Sequence, residues 1–342
     1  VTQPSRTTTN TKIVCTLGPA SESEDVLRAM ILAGMGFARL NFSHGSHDEH
    51  RARAERVRRV ADTLGQPVEL IQDLQGPKIR TVDVPETDLC KGETVVLGPP
   101  GQPDAIPISV PQILDTVQPG QRVYIDDGLI ELEAVERAGA GWRCIVLVGG
   151  EIDGNQGVLF PESILPLPPL SASDVEDLAV GREIGVEWVA LSFVQRWQDL
   201  EALRAFIAPG VQVIAKIETP AALADLTQII TASDCVMIAR GDLGVAIPRA
   251  RVPLVQKDII RACGQQGRLT IVATEMLLSM VHNPHPTRAE VADVATAVLD
   301  GTSAVMLSEE TAIGDYPALA VAEMQEIIET IEASPYYTWR RE

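Results

Sequence analysis

From residue 11 the chain repeats one pattern: a short apolar run, polar residues at its end, a helix-start signal and an amphipathic helix. The apolar runs fall at 12–18, 37–42, 68–73, 187–193, 211–217, 234–239, 269–274 and 303–307. Helix starts are marked by the capping boxes Ser21 with Glu24, Ser46 with Glu49 and Thr287 with Glu290, and by Thr219-Pro220. Eight strands alternating with about eight helices predict the α/β class and a (β/α)8 TIM barrel.

The rhythm changes between 81 and 166. Short β-like runs at 94–97, 122–125, 129–135 and 143–148 are separated by Pro, Gly and Asp turns. This predicts a small all-β lid domain, 81–166, inserted after strand 3 of a barrel built from 11–80 and 167–342. A stiff P-L-P-P-L-S segment (166–171) closes it, and the polar residues 1–10 are expected to form a flexible N-terminus.

A length of 342 residues suits one barrel of roughly 250 residues plus an insertion. A net charge of −19 and a pI near 4.7 argue against nucleic-acid and anionic-membrane partners. Of 28 Lys and Arg only five are lysines, so a lysine inside a strand stands out. The cysteines are scattered without a C-x-x-C pair, and Cys15 and Cys235, in apolar strands, read as core thiols of a reducing compartment. No apolar run reaches about 18 residues, so a cytoplasmic location is expected.

Chemistry in such barrels gathers at the C-terminal strand tips. Those tips offer Arg39, Asn41, Ser43 and His44; Asp73, Lys78 and Arg80; Arg196; Lys216 and Glu218; Arg240 and Asp242; Thr274 and Glu275; Ser308, Glu309 and Glu310. The run D-C-V-M-I-A-R-G-D ends a buried strand in a cation, a flexible turn and a carboxylate. Glu218 and Asp242, on adjacent strands, could share one hard cation, or each could pair with a neighbouring base. Lys216, two residues from Glu218 and so on the same side of its strand, could steady an enolate or a phosphoryl group, or simply pair with Glu218. Arg39 and Arg80 are phosphate forks or structural ion pairs. His44, His47 and His50 straddle a capped helix start, which predicts a solvated face rather than a zinc site.

Segments T-K-I-V-C-T-L-G-P-A-S, A-R-L-N-F-S-H-G, K-I-E, A-R-G-D-L-G, P-T-R-A-E-V-x-D-V-A-x-A-V-L-D-G and E-T-A-x-G-D-Y-P together resemble the pyruvate kinase family, in its order. The resemblance implies Mg2+-dependent (or Mn2+-dependent) phosphoryl transfer from phosphoenolpyruvate to ADP, giving pyruvate and ATP in glycolysis. It implies Glu218 and Asp242 as metal ligands, with Lys216, Thr274 and Arg39 catalytic. Ala239, Gly241, Asp242, Thr274, Arg39 and Ser308 would bind substrate. Arg39, Asn41, His44, Arg80 and Arg196 would face the nucleotide. Asn41, Ser43, Asp73 and the Leu74 carbonyl would form the family's monovalent-cation site.

Lys78 stands where the family's usual motif carries a glutamate, and Gln75 replaces a lysine. A fixed ammonium there predicts turnover without K+. Other departures are Glu275, Leu278, Glu309 and Ile313, the last three replacing a glutamate, a glycine and a lysine; they make the nucleotide side more negative. The chain stops near Glu342, which leads to the expectation that the usual C-terminal effector domain is absent and that no sugar-phosphate effector acts. A homo-oligomer, dimer or tetramer, is expected. Competing readings are a Mg2+-enolate lyase or aldolase, and a catalytically weak phosphoenolpyruvate or nucleotide sensor.

Overall fold

The computed structural model describes residues 9–164 and 166–338. Most of the N-terminal stretch expected to be flexible, residues 1–8, lies outside the described residues. Eight parallel strands close into a barrel: β1 (Lys12–Thr16), β2 (Met35–Asn41), β3 (Glu69–Asp73), β4 (Trp188–Leu191), β5 (Gln212–Ile217), β6 (Cys235–Ala239), β7 (Leu269–Ala273) and β8 (Ala304–Leu307). Their order is β1-β8-β7-β6-β5-β4-β3-β2. Both faces of each strand are covered, which is why the strands read as near-continuous apolar runs; all five residues of β6 are buried. Val14, Ile71, Trp188, Ile214, Met237 and Met306 pack together as one cluster, while alternate residues such as Val213, Ala215 and Ile217 belong to the larger cluster shared with the helices.

The outer ring comprises α1 (Glu24–Ala33), α2 (His47–Leu64), α3 (Ala172–Ile184), α4 (Trp197–Arg204), α5 (Leu226–Ala232), α6 (Val252–Gln265), α7 (Arg288–Leu299) and α8 (Pro317–Glu332). The boxes at Ser46/Glu49 and Thr287/Glu290 form as expected, and Thr219 caps a short helix, Pro220–Ala224. The first box does not form. Pro19-Ala20-Ser21 is a 3-10 turn whose Ser21 hydroxyl takes the Gly18 N–H at 3.0 Å, and Ser23 caps α1 instead.

Between β3 and β4 lies a separate sheet of seven strands, in the order Ile79–Arg80, Gly157–Leu159, Arg122–Ile125, Ile130–Ala138, Gly141–Val148, Thr94–Gly98, Ala105–Pro107. It buries its own core, including Leu97, Val123, Leu132, Trp142 and Val146. Four predicted runs coincide with its longer strands. Three-residue strands such as Thr87–Leu89 and Gly150–Ile152 are too short for alternation to show. β3 and β4 nevertheless pair directly (Ile71 with Trp188, Asp73 with Ala190), so the insertion leaves the barrel wall unbroken.

Both crossings into the insertion are tied to one buried carboxylate at the start of α3. Asp174 accepts the Ser171 N–H at 2.7 Å, the Ser171 hydroxyl at 2.6 Å and the Gly76 N–H at 3.1 Å. Gly76 has φ +66°, and a Cβ there would stand 2.9 Å from the Ser192 carbonyl oxygen, so the turn requires glycine.

Candidate active site

A chain of buried polar contacts crosses the C-terminal mouth of the barrel. Arg39, from β2, donates through Nε to Asp73 Oδ2 at 2.6 Å and through a terminal nitrogen to Thr16 Oγ1 at 3.0 Å. Asp73, at the end of β3, also pairs with Lys216 Nζ at 3.3 Å. Lys216 in turn stands 3.1 Å from Glu218 Oε1 and donates to Ser192 Oγ at 2.6 Å. Glu218 Oε2 accepts the Phe193 N–H at 2.6 Å.

The electrostatics follow from burial and neighbours. Burial alone would raise the Asp73 carboxyl, but Lys216 and Arg39 outweigh it and hold it below the ordinary carboxylate value. Burial would lower the Lys216 ammonium, but Asp73 and Glu218 hold it above its ordinary value. Glu218 goes the other way. Burial raises its carboxyl, Lys216 only partly offsets this, and Asp242 across the rim pushes it further up. A buried carboxylate destabilised by a second carboxylate has an electrostatic deficit that a cation would fill.

Beyond β6 the chain does not form the flexible turn expected from Arg-Gly-Asp. It enters a short helix, Arg240–Ala246, at once, because the Arg240 side chain pins the start. Its guanidinium bridges Asp293 (2.6 and 2.7 Å) and donates to the carbonyls of Ala273 (3.2 Å) and Thr274 (2.8 Å). Thr274 and Glu275 are left-handed, φ +71° and +55°, as is Phe193 at +54° after β4. A β-branched residue in that region is strained, and Arg240 is one of the contacts that hold it there. The Thr274 hydroxyl donates to the Ala273 carbonyl at 2.6 Å, and its oxygen accepts the Gly241 N–H at 2.9 Å. A Cβ on Gly241 would meet Thr274 only at ordinary contact distance, 3.7 Å, so no crowding within the protein requires glycine there.

A cleft of about 620 Å³ opens here between barrel and insertion, its walls including Lys78, Asp127, Asp242, Thr274, Ser308 and Glu309. Ser308 donates its N–H to Glu310 (2.7 Å), which also takes the Leu277 N–H (3.0 Å), so Glu310 joins the loops after β7 and β8. Lys78 faces this cleft and, among the described residues, makes no ion pair. Glu275 and Leu278 also line it, whereas Ile313, not among its lining residues, is 57% exposed.

Other expected site residues lie apart. Arg80 belongs to the insertion's sheet and donates to the Asn155 carbonyl at 2.8 Å. Arg196 precedes α4, largely exposed, and pairs with Asp199. Asn41 Oδ1 accepts the Ser43 N–H at 3.2 Å, and His44 is exposed. The histidines at the start of α2 do not converge: His47 pairs with Asp177, while His50, expected on a solvated face, is buried and stacked 4.0 Å from the Phe42 ring. Thr16, Ser192 and Asp293 escaped the sequence reading. The strand-tip rule could have found the first two; Asp293 lies mid-helix and carried no such signal.

Residues 8–321 match the barrel-domain family of pyruvate kinase. The chain belongs to the pyruvate kinase family. It is 46% identical to the pyruvate kinase of Agrobacterium vitis, over 97% of this chain and 70% of that protein. It is 46% identical to pyruvate kinase 2 of Synechocystis sp., over 94% and 56%, and 42% identical to the pyruvate kinase of Staphylococcus haemolyticus, over 96% and 58%. The chain thus spans little more than half the length of several curated pyruvate kinases that it matches.

The residues present fit a divalent cation. Glu218 Oε1 is buried and accepts no hydrogen bond among the described residues, although Lys216 stands within ion-pair distance. Two carboxylates rather than a full protein cage suit Mg2+, which keeps waters and substrate oxygens in its shell. No helix among the described residues is long and apolar enough to cross a membrane.

Proposed function

We propose that this chain transfers the phosphoryl group of phosphoenolpyruvate to ADP, giving pyruvate and ATP. One observation carries the reading: the buried Arg39–Asp73–Lys216–Glu218 chain reaches the rim that Asp242 and Thr274 share with an open cleft. Phosphoryl transfer demands positioning and charge neutralisation more than covalent chemistry from the protein. The bond from phosphorus to the enol oxygen breaks as the bond to a terminal ADP oxygen forms. Lys216 would stabilise charge on the phosphoryl group and the departing enol oxygen, while Asp73 keeps it ionised and in place. Arg39 would bind phosphate. Thr274 would lie at the methylene carbon, on the path of the proton that converts enol to pyruvate. Glu218 and Asp242 would hold Mg2+ (or Mn2+), which supplies neutralisation of substrate oxygen charge when bound. Ala239, Gly241 and Ser308 would complete the substrate side; Asn41, His44, Arg80 and Arg196 would reach the nucleotide on closure of the insertion as a lid.

Two features support turnover without K+. The Asp73 carboxylate is already met by two cations, and Lys78 adds a further positive charge to the cleft. The test is pyruvate formation from phosphoenolpyruvate with ADP and Mg2+ in K+-free buffer. Expected are strict ADP dependence, stoichiometric ATP, stimulation by K+ below twofold, and a loss of at least 1,000-fold on Lys216→Met or Asp242→Ala (about 4 kcal/mol). ADP-independent turnover would favour a lyase. Binding without turnover would favour a sensor, and many-fold K+ activation would refute the role given to Lys78.

A further inference from the structure

Ser192, immediately beyond β4, is 4% exposed and touches three parts of the site. Its oxygen accepts from Lys216 Nζ at 2.6 Å, its hydroxyl meets the Leu74 carbonyl at 2.7 Å, and Asp73 Oδ1 lies at 3.4 Å. The direction of each bond is forced. An ammonium has no lone pair, so Lys216 must donate; a carbonyl has no proton, so Leu74 must accept. Whether its one proton goes to Leu74, the nearer acceptor, or to Asp73 Oδ1, Ser192 presents a lone pair towards Lys216.

We infer that Ser192 is the positioning residue for Lys216, a role that rests on the phosphoryl-transfer reading of the site. The lysine stem is long and flexible, and its other two partners, Asp73 at 3.3 Å and Glu218 at 3.1 Å, are both anions, carried by the ends of different strands. Two carboxylates alone leave the ammonium free to lean towards either. The hydroxyl supplies the shortest of the three contacts and, being neutral, fixes direction without cancelling the charge that must act on the transferring group. It is itself anchored twice: by the Leu74 carbonyl, and by the close approach of its backbone to Gly76. Because Gly76 also donates to Asp174, the lysine's third contact is built on the first turn that leads to the insertion.

The test compares the intact chain with Ser192→Ala and Ser192→Thr. Expected for Ser192→Ala is a fall in kcat of at least 10-fold, with KM for phosphoenolpyruvate and the Kd of Mn2+ each changed less than threefold. Ser192→Thr, which keeps the hydroxyl, should recover most of kcat. A crystal structure of Ser192→Ala should show Lys216 Nζ displaced from its place between Asp73 and Glu218. Retention of kcat within twofold would overturn the inference; so would parallel loss of Mn2+ affinity and thermal stability with an unmoved Nζ, since that is a structural defect. If the unmodified chain itself makes no pyruvate, the functional reading fails instead. The position of Nζ in Ser192→Ala then decides the role of Ser192 alone.

Discussion

His50 shows how much one side chain can set the acid limit of the fold. Burial first, and the neighbouring Arg53 second, push its imidazole down to about 4 from an ordinary 6.5; Glu49 opposes them and His47 adds to them. Between those values the unfolded chain takes up a proton that the folded chain refuses. Stability from this group is therefore complete above pH 6.5 and is lost as pH falls towards 4, by about 3 kcal/mol in all. His50→Phe, which keeps a ring to stack on Phe42, should remove this component and flatten the stability profile by about 2 kcal/mol between pH 7 and 5, read by urea denaturation. At the tip of β7 Glu275 holds φ +55° with its side chain exposed. Glu275→Gly should raise stability by about 1 kcal/mol, because only glycine enters that region without a steric cost. A lower denaturation midpoint would mean that the carboxylate makes a contribution which its exposure conceals.

At the scale of elements, Asp174 is the residue on which the join between barrel and insertion depends. It closes the capping box of α3 by holding the N-cap Ser171 on the returning crossing, and the same carboxylate holds Gly76 on the outgoing one. Asp174→Ala would leave the buried Gly76 N–H and the partly buried Ser171 N–H unpaired, at a cost of about 2 kcal/mol. Hydrogen exchange should accelerate at 74–80 and 166–174. The insertion's strands, whose core is separate, should keep their protection. The barrel elements were legible because strands covered on both faces spell out apolar runs and their helices announce themselves with capping boxes. Lys216 and Glu218 were legible too, since a two-residue spacing on a strand settles a shared face. The hinge was not. Gly76, Ser171 and Asp174 are far apart or ordinary in sequence, and only the closure of the barrel brings them together. Nor was the sheet that holds Arg80: its spacing from β3 suggests a barrel strand tip, whereas its backbone pairs with Gly157 in the other sheet.

Taken whole, the molecule is two cores facing each other across an acidic cleft, and their contact bears on what the site can do. Gly128, in a turn of the insertion where Asp126, Asp127 and Gly128 are all left-handed, comes down on Val245 of the barrel rim. A Cβ at Gly128 would lie 3.2 Å from Val245 Cγ1. Water competes with ADP for a phosphoryl group in flight, so the fit at this contact should govern how fully transfer outruns hydrolysis. Gly128→Ala should hold the two bodies apart, lower kcat/KM several-fold, and raise the ratio of pyruvate to ATP above one. Val245→Ala makes room for the added methyl group. If crowding is the cause, Gly128→Ala with Val245→Ala should restore part of the coupling, leaving only the backbone strain of alanine at φ +85°. If the double variant is as uncoupled as Gly128→Ala alone, strain in the turn rather than separation of the two cores sets the leak.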